Sequence, residues 1–429
     1  MFMHVKFIVE MIILILCLIR TTVYGCRNYN FLGYNTLKDW TNCSYDELNQ
    51  INTTEQLPVN LNMSNVITEG NGQQNKQTGV RDIRSIWDIG KGDRVLQQLS
   101  HGKHQDGLSP TKHIWLEWGP SFWGIRKGTD TFRQCDVHKC NILSRNHNNS
   151  QVNARLFSDG VSFLDLQALR AINRTSSEIW IIHTLESPMA ANNFQTLDNM
   201  FNWTATYRTD STIVTPYAKW TSFRDHINSD FSKINYAENK TKKVAMYVSN
   251  CHTSNNRLVY AEELAKHIHV DIYGECGNLS CSKNDNKHCM HILRKDYKFY
   301  LAFENSNCRD YITEKFYTNA LRNNVLPVVM GAHPDDYKRS APHHSYIHVE
   351  DFQSPKHLAE YLHTLDKNDQ LYNQYFKWKG TGSFIDTKFW CRLCAMLNDP
   401  YKPNLIVSEL DRWWRSERSC IRADQKWIT

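Results

Sequence analysis

The chain has 429 residues, of which 41% are hydrophobic and 12% aromatic. This length allows two globular domains with additional segments, and the aromatic content favours a well-buried core. The net charge is only +6, and the sequence has no dense run of Lys and Arg. It therefore lacks the electrostatic pattern of a nucleic-acid-binding protein, and no nucleic-acid partner is predicted.

The amino-terminal segment 1–24 is predicted to meet the membrane. Residues from Met11 to Ile19 are continuously apolar, with Lys6 before them and Arg20 after them. This pattern fits a cytosolic tail followed by a short signal-anchor, or a cleaved signal peptide that ends near Gly25. Under either interpretation the rest of the chain is lumenal.

Sequons and cysteines give two further indications of a lumenal protein. The eight N-x-S/T sequons are at Asn42, Asn52, Asn62, Asn148, Asn173, Asn202, Asn239 and Asn278, and each is a candidate glycosylation site. Of the 13 cysteines, Cys17 lies in the apolar segment, which leaves an even number suited to disulfides in an oxidising compartment.

Residues 25–79 are rich in Asn, Thr, Gln and Gly, and they are predicted to be a flexible stem. A first domain is predicted over residues 80–238, with a helix from Phe163 to Ala171 and a strand from Glu178 to His183. A second domain is predicted over 239–385, followed by a carboxy-terminal tail over 386–429.

In the second domain, strand-like and helix-like segments alternate. Lys242 to Ser249 and Val270 to Tyr273 have strand patterns, and a helix is predicted from Arg257 to His267 between them. Further strands are predicted at Val325 to Met330 and Ser345 to Val349, with helices at Leu358 to Lys367 and Asp369 to Lys377. Such alternation predicts an α/β fold with a mostly parallel sheet.

The stretch from Tyr300 to Lys315 is the most informative one. An apolar run that ends at Phe303 predicts a buried strand, and Glu304, Asn305 and Asn307 follow it. Thr313 is predicted to cap a helix that continues to about Asn323. Lys315 in the first turn opposes the helix dipole, so an anion is expected nearby. The alternative is an ordinary strand–loop–helix joint with a solvated lysine.

Two groups of residues have the composition of metal sites. Cys276, Cys281, His288, Cys289 and His291 superficially resemble a zinc site, but an oxidising lumen favours disulfides. The residues His343, His344, His348, Asp335 and Asp336 are predicted to be surface or solvated-turn residues. Cys135 and Cys140 are predicted to pair locally.

Six motifs of the chain, taken together, resemble those of the α1,3-fucosyltransferase family. They are Glu186-Ser-Pro188, Val248-Ser-Asn-Cys-His-Thr-Ser-Asn-Asn-Arg257, Val270-Asp-Ile-Tyr-Gly-Glu-Cys276, Phe299-Tyr-Leu-Ala-Phe-Glu-Asn305, Asp310-Tyr-Ile-Thr-Glu-Lys315 and Trp390-Cys-Arg-Leu-Cys394. The similarity extends from about residue 110 to about 415. Within the family, the chain is most similar to invertebrate enzymes that fucosylate the N-glycan core, partly because of the stretch Phe201 to Val214.

The resemblance implies a fold and a setting. The fold is of GT-B type, with two Rossmann-like domains: 80–238 on the acceptor side and 239–385 binding GDP-fucose, while 386–429 returns to the first domain. The protein is expected to be a type II single-pass Golgi membrane protein with its catalytic part in the lumen. Its partners would be GDP-fucose and N-glycoprotein acceptors, with no obligatory cofactor and no metal site, and with Mn²⁺ as a stimulant at most.

The resemblance also assigns roles to residues. Glu186 is predicted to be the base that takes the acceptor proton, and Arg257 and Lys315 are predicted to stabilise the departing diphosphate. Glu314 is predicted to accept hydrogen bonds from the ribose hydroxyls. The remaining predicted donor contacts are Ser249, Asn250, Asn305 and Tyr311.

Each role has a structural alternative. Glu186 could be a surface carboxylate, Arg257 a solvated residue of a first helical turn, Glu314 a helix cap and Asn305 a loop cap. Cys391 and Cys394 could be a redox pair, whereas the resemblance makes them a structural bridge within the tail. The complete set of disulfide candidates is Cys135, Cys140, Cys276, Cys281, Cys289, Cys308, Cys391 and Cys394.

Two other functions remain open on the sequence. One keeps GDP-fucose as donor but has an antennary (Lewis-type) GlcNAc or a protein hydroxyl as acceptor. The other is a lumenal sugar-nucleotide- or glycan-binding protein without catalysis. Because Glu186, Arg257, Glu314 and Lys315 are all present, the sequence favours an enzyme.

Overall fold

The computed structural model describes residues 86–89, 92–101, 110–117, 125–143, 151–158, 166–191, 194–223, 230–281 and 286–427. The predicted signal-anchor, the predicted stem and the sequons at Asn42, Asn52, Asn62 and Asn148 lie outside these residues. Within the described ranges, no helix combines the length and the apolar character that a membrane crossing requires.

The first half of the chain forms a six-stranded parallel sheet in the order β2-β1-β3-β4-β5-β6. Its strands are β1 Lys112–Leu116, β2 Cys140–Ile142, β3 Ala154–Ser158, β4 Ile179–Thr184, β5 Trp203–Thr206 and β6 Ile213–Val214. Both faces are covered by apolar side chains. This explains why β4 is apolar almost throughout, as expected for a parallel strand.

The second half forms a five-stranded parallel sheet in the order β13-β12-β10-β8-β9. Its strands are β8 Lys242–Tyr247, β9 Val270–Tyr273, β10 Tyr297–Phe303, β12 Leu326–Met330 and β13 Ile347–His348. All seven residues of β10 are buried. The predicted strand Val270 to Tyr273 is confirmed, as is the strand that ends at Phe303, and the other predicted strands of this half are present with shorter bounds.

Two short antiparallel pairs complete the strands. They are β7 Lys219–Ser222 with β14 Gly382–Ile385, and β11 Asn307–Cys308 with β15 Cys420–Ile421. The second pair joins the loop after β10 to the carboxy-terminal tail. The tail therefore returns to the strand ends of the second sheet.

The α-helices in the described residues are α1 Arg94–His101, α2 Leu166–Arg170, α3 Arg257–Ala265, α4 Asn286–Asp296, α5 Pro334–Ser340, α6 Pro355–Asp366, α7 Asp369–Gln374, α8 Phe389–Asn398 and α9 Leu410–Trp414. Helix α3 packs Ala261 and Leu264 against the second sheet, in agreement with the apolar spacing of the sequence. The start of α6 follows from Ser354, whose hydroxyl accepts from His357 N, and from Pro355 in the first turn.

The helix predicted from Thr313 to Asn323 has a different form. It consists of a π-helical segment, Lys315–Ala320, followed by a 3-10 turn, Leu321–Asn323. The wide turns bury the neighbouring rings of Phe316 and Tyr317 together in the core. Rare helices of this kind are frequent at functional sites.

Two disulfides fasten helix α8 to the first half of the chain. They join Cys135 to Cys391 and Cys140 to Cys394. The predicted local pairs, Cys135 with Cys140 and Cys391 with Cys394, are therefore wrong. The physical reason is that both cysteines of α8 belong to the apolar cluster of the first sheet, where each meets a cysteine from the other element.

The other three disulfides join Cys251 to Cys276, Cys281 to Cys289 and Cys308 to Cys420. All eight predicted candidates are thus cross-linked, and Cys251 and Cys420 are additional members that the sequence did not single out. The three cysteines of the zinc-like cluster are used in disulfides. Within the described residues, no group of three or more His, Cys, Asp or Glu side chains has the arrangement of a metal site.

Two residues predicted to be solvated are buried. Asp336 is fully buried and accepts from Arg309 and Arg339 at 2.8 Å and from the backbone N–H of Asp310 at 2.7 Å. His348 is buried as well, and its Nδ1 accepts from the backbone N–H of Glu350. In contrast, His343, His344 and Asp335 are exposed as predicted.

The described sequons differ in accessibility. Asn173, Asn239 and Asn278 are exposed, and each remains a predicted glycosylation site. Asn202 is buried, and its Nδ2 donates to Asn404 Oδ1 at 3.1 Å. Because a glycan would replace a hydrogen on this buried nitrogen, the structure contradicts the prediction of glycosylation at Asn202 in the folded chain.

Candidate active site

The order of the second sheet defines a crevice at its carboxyl edge. The chain passes from β8 outward to β9 and then returns to β10 on the opposite side of β8. In open parallel sheets, ligands bind where the strand order reverses in this way, between the loops that follow the two central strands. Here these are the loops after β8 and after β10, and we call the space between them the donor crevice.

All seven predicted donor contacts lie on the two loops of the donor crevice. Ser249 and Asn250 follow β8, and Arg257 begins α3. The other four, Asn305, Tyr311, Glu314 and Lys315, follow β10. Asn250 and Glu314 are exposed, whereas Arg257 and Tyr311 are buried. The structure therefore brings the seven residues to one edge of the sheet but gives them different accessibility.

Glu304 is the centre of the loop after β10. Its side chain is fully buried, and its carboxylate accepts from Thr313 N and Thr313 Oγ1, each at 2.8 Å, and from Lys315 Nζ at 3.1 Å. Burial raises the pKa of Glu304, and the Lys315 charge opposes that effect. The sequence placed Glu304 only as a residue after the strand, and its central position was missed.

Strand register brings Gly331 against Glu304. Phe303 pairs with Met330, so the following residues, Glu304 and Gly331, leave neighbouring strand ends. A Cβ on Gly331 would lie 2.7 Å from Glu304 Cγ, and the glycine has φ of +151°. Only glycine therefore leaves room for the buried carboxylate.

Lys315 is held by three side chains. Its Nζ donates to Glu304 Oε2 at 3.1 Å, to Thr313 Oγ1 at 3.0 Å and to Glu314 Oε1 at 3.1 Å. Burial alone would lower the pKa of Lys315, but the carboxylates of Glu304 and Glu314 raise it above its ordinary value. The lysine is therefore a fixed positive charge, and the alternative of a solvated Lys315 is wrong. Its exposed partner Glu314 is the contact that an incoming anion can replace.

Arg257 connects the two loops of the crevice. It is buried, and its guanidinium donates to Phe303 O at 2.9 Å and to Asn250 O at 3.1 Å. Burial lowers its pKa, while Glu304 opposes this shift. The alternative of a solvated residue at a helix start is wrong. In this structure Arg257 holds the backbone at the ends of β8 and β10.

A second connection was missed by sequence reasoning. Asn255 is buried, and its Nδ2 donates to Glu304 O at 2.9 Å and to Asn307 Oδ1 at 3.0 Å. The sequence signal for this role was the polar run before α3. In the structure, Asn256 of that run takes the left-handed conformation, with φ of 51°. Asn305, for comparison, accepts from Ser306 Oγ at 3.0 Å, as in the loop-cap alternative.

Glu186 reaches the crevice from the first sheet. It is exposed and lies just after β4, at the carboxyl end of that strand. Its Oε2 accepts from the Tyr311 hydroxyl at 3.3 Å. The predicted base and the predicted donor contact Tyr311 are therefore adjacent, although they are 125 residues apart in the sequence. An exposed carboxylate at the edge of the donor crevice suits proton abstraction from a bound hydroxyl.

Comparisons with known proteins identify the family of the chain. Residues 110–218 match the family model described as fucosyltransferase, N-terminal, and residues 237–413 match the model described as glycosyltransferase family 10 (fucosyltransferase), C-terminal. A solved α1,3-fucosyltransferase with GDP-fucose is 14% identical with a TM-score of 0.44, covering 71% of this chain and 96% of that one.

Two curated relatives come from Drosophila melanogaster. Glycoprotein 3-alpha-L-fucosyltransferase A is 48% identical over 337 residues, which are 76% of this chain and 66% of that relative. Alpha-(1,3)-fucosyltransferase C is 32% identical over 358 residues, which are 75% of this chain and 82% of that relative. The chain therefore belongs to glycosyltransferase family 10, the fucosyltransferases.

Proposed function

We propose that this protein transfers L-fucose from GDP-β-L-fucose, in α1,3 linkage, to the asparagine-linked GlcNAc of N-glycans. The observation that carries the proposal is the position of Glu186, a carboxylate of the first sheet that contacts the donor-crevice residue Tyr311. The similarity to a glycoprotein 3-alpha-L-fucosyltransferase supports the choice of a glycoprotein acceptor.

The reaction inverts the fucose C1. The bond between C1 and the β-phosphate oxygen breaks, a bond forms between C1 and O3 of the GlcNAc, and the proton of that hydroxyl goes to Glu186. GDP leaves as an anion. Glu186 suits the role of base because its side chain is accessible and its free oxygen faces no other hydrogen-bond partner in the described part of the chain.

Lys315 is proposed to stabilise the diphosphate as it leaves. Its charge is fixed by Glu304 and Thr313, so little reorganisation is needed when negative charge develops. When a phosphate oxygen replaces Glu314 as a partner of Lys315, one N–H of Lys315 binds the phosphate. The Glu314 carboxylate is then available to accept from the ribose hydroxyls. Arg257 is proposed to support the donor by fixing both loops of the crevice, while Ser249, Asn250 and Asn305 provide polar groups at its edge.

The setting is proposed to be the Golgi lumen, with residues 1–24 as a type II signal-anchor. The five disulfides support an oxidising compartment. Since Lys315 supplies positive charge at the leaving group, we propose that Mn²⁺ stimulates transfer without being required. Transfer measured with EDTA and then with added Mn²⁺ tests this: complete loss in EDTA contradicts it.

The test of the acceptor uses the full chain, GDP-fucose and an N-glycopeptide with a defined glycan. The product is digested with an amidase that core α1,3-fucose blocks and is then analysed by mass spectrometry. The proposal expects a fucose on the asparagine-linked GlcNAc and resistance to release. Fucose on an antenna contradicts the core acceptor but keeps the donor site, and the absence of transfer to any glycan contradicts the function.

A further inference from the structure

Three consecutive residues after β4 are each held by a separate hydrogen bond. Tyr217 donates to Leu185 O at 2.7 Å, Tyr311 donates to Glu186 Oε2 at 3.3 Å, and the hydroxyls of Ser187 and Ser306 lie 2.7 Å apart. Ser306 and Tyr311 both belong to the loop after β10. The donor crevice therefore holds both Glu186 and the residue after it.

The side chain of Tyr311 is fixed by packing. It is 1% exposed and belongs to the apolar cluster of the first sheet. Its ring centroid lies 5.0 Å from that of Tyr207 and 6.5 Å from that of Tyr217. A ring enclosed in this way presents its hydroxyl in one direction, toward Glu186.

In the hydrogen bond between Tyr311 and Glu186, only the tyrosine can be the donor. Burial raises the pKa of the Tyr311 hydroxyl well above its ordinary value, so the hydroxyl keeps its proton throughout the physiological range. A protonated phenol beside a carboxylate donates the hydrogen bond. The distance of 3.3 Å is long for this type of bond, as is common for catalytic contacts in the absence of substrate.

We propose that Tyr311 is a positioning residue for Glu186: its hydroxyl occupies Oε2 and leaves Oε1 directed at the acceptor hydroxyl. This inference rests on the proposed function. It means that the loop that forms the donor crevice also orients the base, so the two halves of the chain share one reactive geometry. The predicted role of Tyr311 as a donor contact has different kinetic consequences, which makes the two roles separable.

The test is the Tyr311→Phe variant of the full chain, which keeps the packed ring and removes the hydroxyl. We expect kcat to fall about tenfold or more, the usual effect of losing a hydrogen bond to a charged group. The KM for GDP-fucose should stay within about twofold of that of the parent protein. The acid limb of kcat/KM against pH should move to higher pH, because the carboxylate loses a donor that favours its charged form.

Tyr207→Phe is the matched control. Tyr207 lies in the same aromatic cluster, and its buried hydroxyl has no hydrogen-bond partner among the described residues. Its removal should leave kcat and the pH profile unchanged. If Tyr207→Phe reproduces the effect of Tyr311→Phe, the effect comes from packing and the inference fails.

A double-mutant cycle of Tyr311→Phe, which keeps the packed ring, with Glu186→Asp tests the same contact a second time. Glu186→Asp shortens the side chain by one methylene and withdraws the carboxylate from the Tyr311 hydroxyl. Adding Tyr311→Phe to Glu186→Asp should then change kcat and the acid limb no further, as coupled residues do in a double-mutant cycle. Additive shifts contradict the inference.

Other outcomes distinguish a failure of the role inferred for Tyr311 from a failure of the proposed function. If the parent protein transfers fucose and Tyr311→Phe raises the KM for GDP-fucose without a change in the pH profile, Tyr311 is a donor contact and the inference fails alone. Unchanged kinetics also overturn it alone. If the parent protein transfers fucose to no acceptor, the proposed function and the inference fail together.

Discussion

Glu304 on the second sheet and Glu186 on the first sheet both follow the carboxyl end of a parallel strand, but their surroundings differ. Glu304 is fully buried and accepts three hydrogen bonds from Thr313 and Lys315. Glu186 is exposed and accepts one, from Tyr311. The buried carboxylate organises a charged site in advance, whereas the exposed one keeps an oxygen free for a substrate. The difference distinguishes a structural carboxylate from the one proposed to act as the base.

The largest expected effect comes from removing the charge of the exposed carboxylate. Glu186→Gln should lower kcat by about 10²–10⁴-fold, because the amide cannot take the acceptor proton. GDP affinity, measured by calorimetry, should stay nearly unchanged. Glu360→Gln, at an exposed position on α6, is the control and should retain full activity. Normal turnover of Glu186→Gln would exclude Glu186 as the base.

Removing the cation that faces the buried carboxylate should have the next largest effect. Lys315→Ala should weaken GDP binding by about 1.5–3 kcal/mol, the usual contribution of a hydrogen bond between charged groups. It should also lower the free energy of unfolding by about 3 kcal/mol, since Glu304 would lose its buried partner.

Calorimetry with GDP and chemical unfolding measure these two effects of Lys315→Ala. Lys367→Ala, at the exposed end of α6, should change neither quantity. Unchanged GDP affinity in Lys315→Ala would remove Lys315 from the donor site, whatever happens to the stability.

The space around Glu304 can be tested without changing a charge. Gly331→Ala would place a Cβ 2.7 Å from Glu304 Cγ, at a φ of +151°. We expect a loss of about 3 kcal/mol in the free energy of unfolding and weaker GDP binding, because Glu304 must move together with Lys315. Gly128→Ala is the matched control: its φ is +95°, but among the described residues nothing beyond its chain neighbours lies within 4 Å of the added Cβ. It should cost only the backbone strain, and equal losses in both variants would contradict the proposed collision.

The smallest expected effect concerns pH. Burial lowers the pKa of His348 from 6.5 to about 4, so the folded chain keeps this histidine neutral while the unfolded chain protonates it more readily. Its contribution to stability is therefore complete above about pH 6.5 and is lost as the pH falls toward 4, with a loss of about 2 kcal/mol at pH 5.

His348→Gln should flatten the dependence of the free energy of unfolding on pH in this window, since glutamine keeps both an acceptor and a donor. The exposed control His343→Gln should not change that slope. An unaltered slope in His348→Gln would mean that other groups cause the acid sensitivity. Because unfolding is measured without substrate, it separates acid effects on stability from the acid limb of the rate.

The sequence predicted the local features of the second sheet well. The strand Val270 to Tyr273, the residues of the crevice loops and the use of the cysteines in disulfides could all be predicted from local sequence and residue counts. These features are indicated by apolar runs, turn residues and the number of cysteines, none of which requires knowledge of distant contacts. The family motifs added the expectation that Glu186 and the crevice residues act together.

Features determined by distant partners were missed. Asp336 is buried because Arg309, 27 residues away, pairs with it. The cysteines of α8 pair with partners more than 250 residues earlier. Asn255 supports Glu304 only through the adjacency of β8 and β10. In each case a side chain has two plausible local environments, and only the packed fold decides between them.

The two disulfides of α8 also set an order of events during synthesis. Cys135 and Cys140 are synthesised about 250 residues before their partners. At a synthesis rate of about 5–20 residues per second, they must stay reduced, or be protected from wrong pairing, for roughly 12–50 seconds. The first sheet is therefore among the earliest parts to be made and among the last to be covalently secured. Oxidoreductase chaperones that shield free thiols would have the greatest influence on the yield of this chain during that interval.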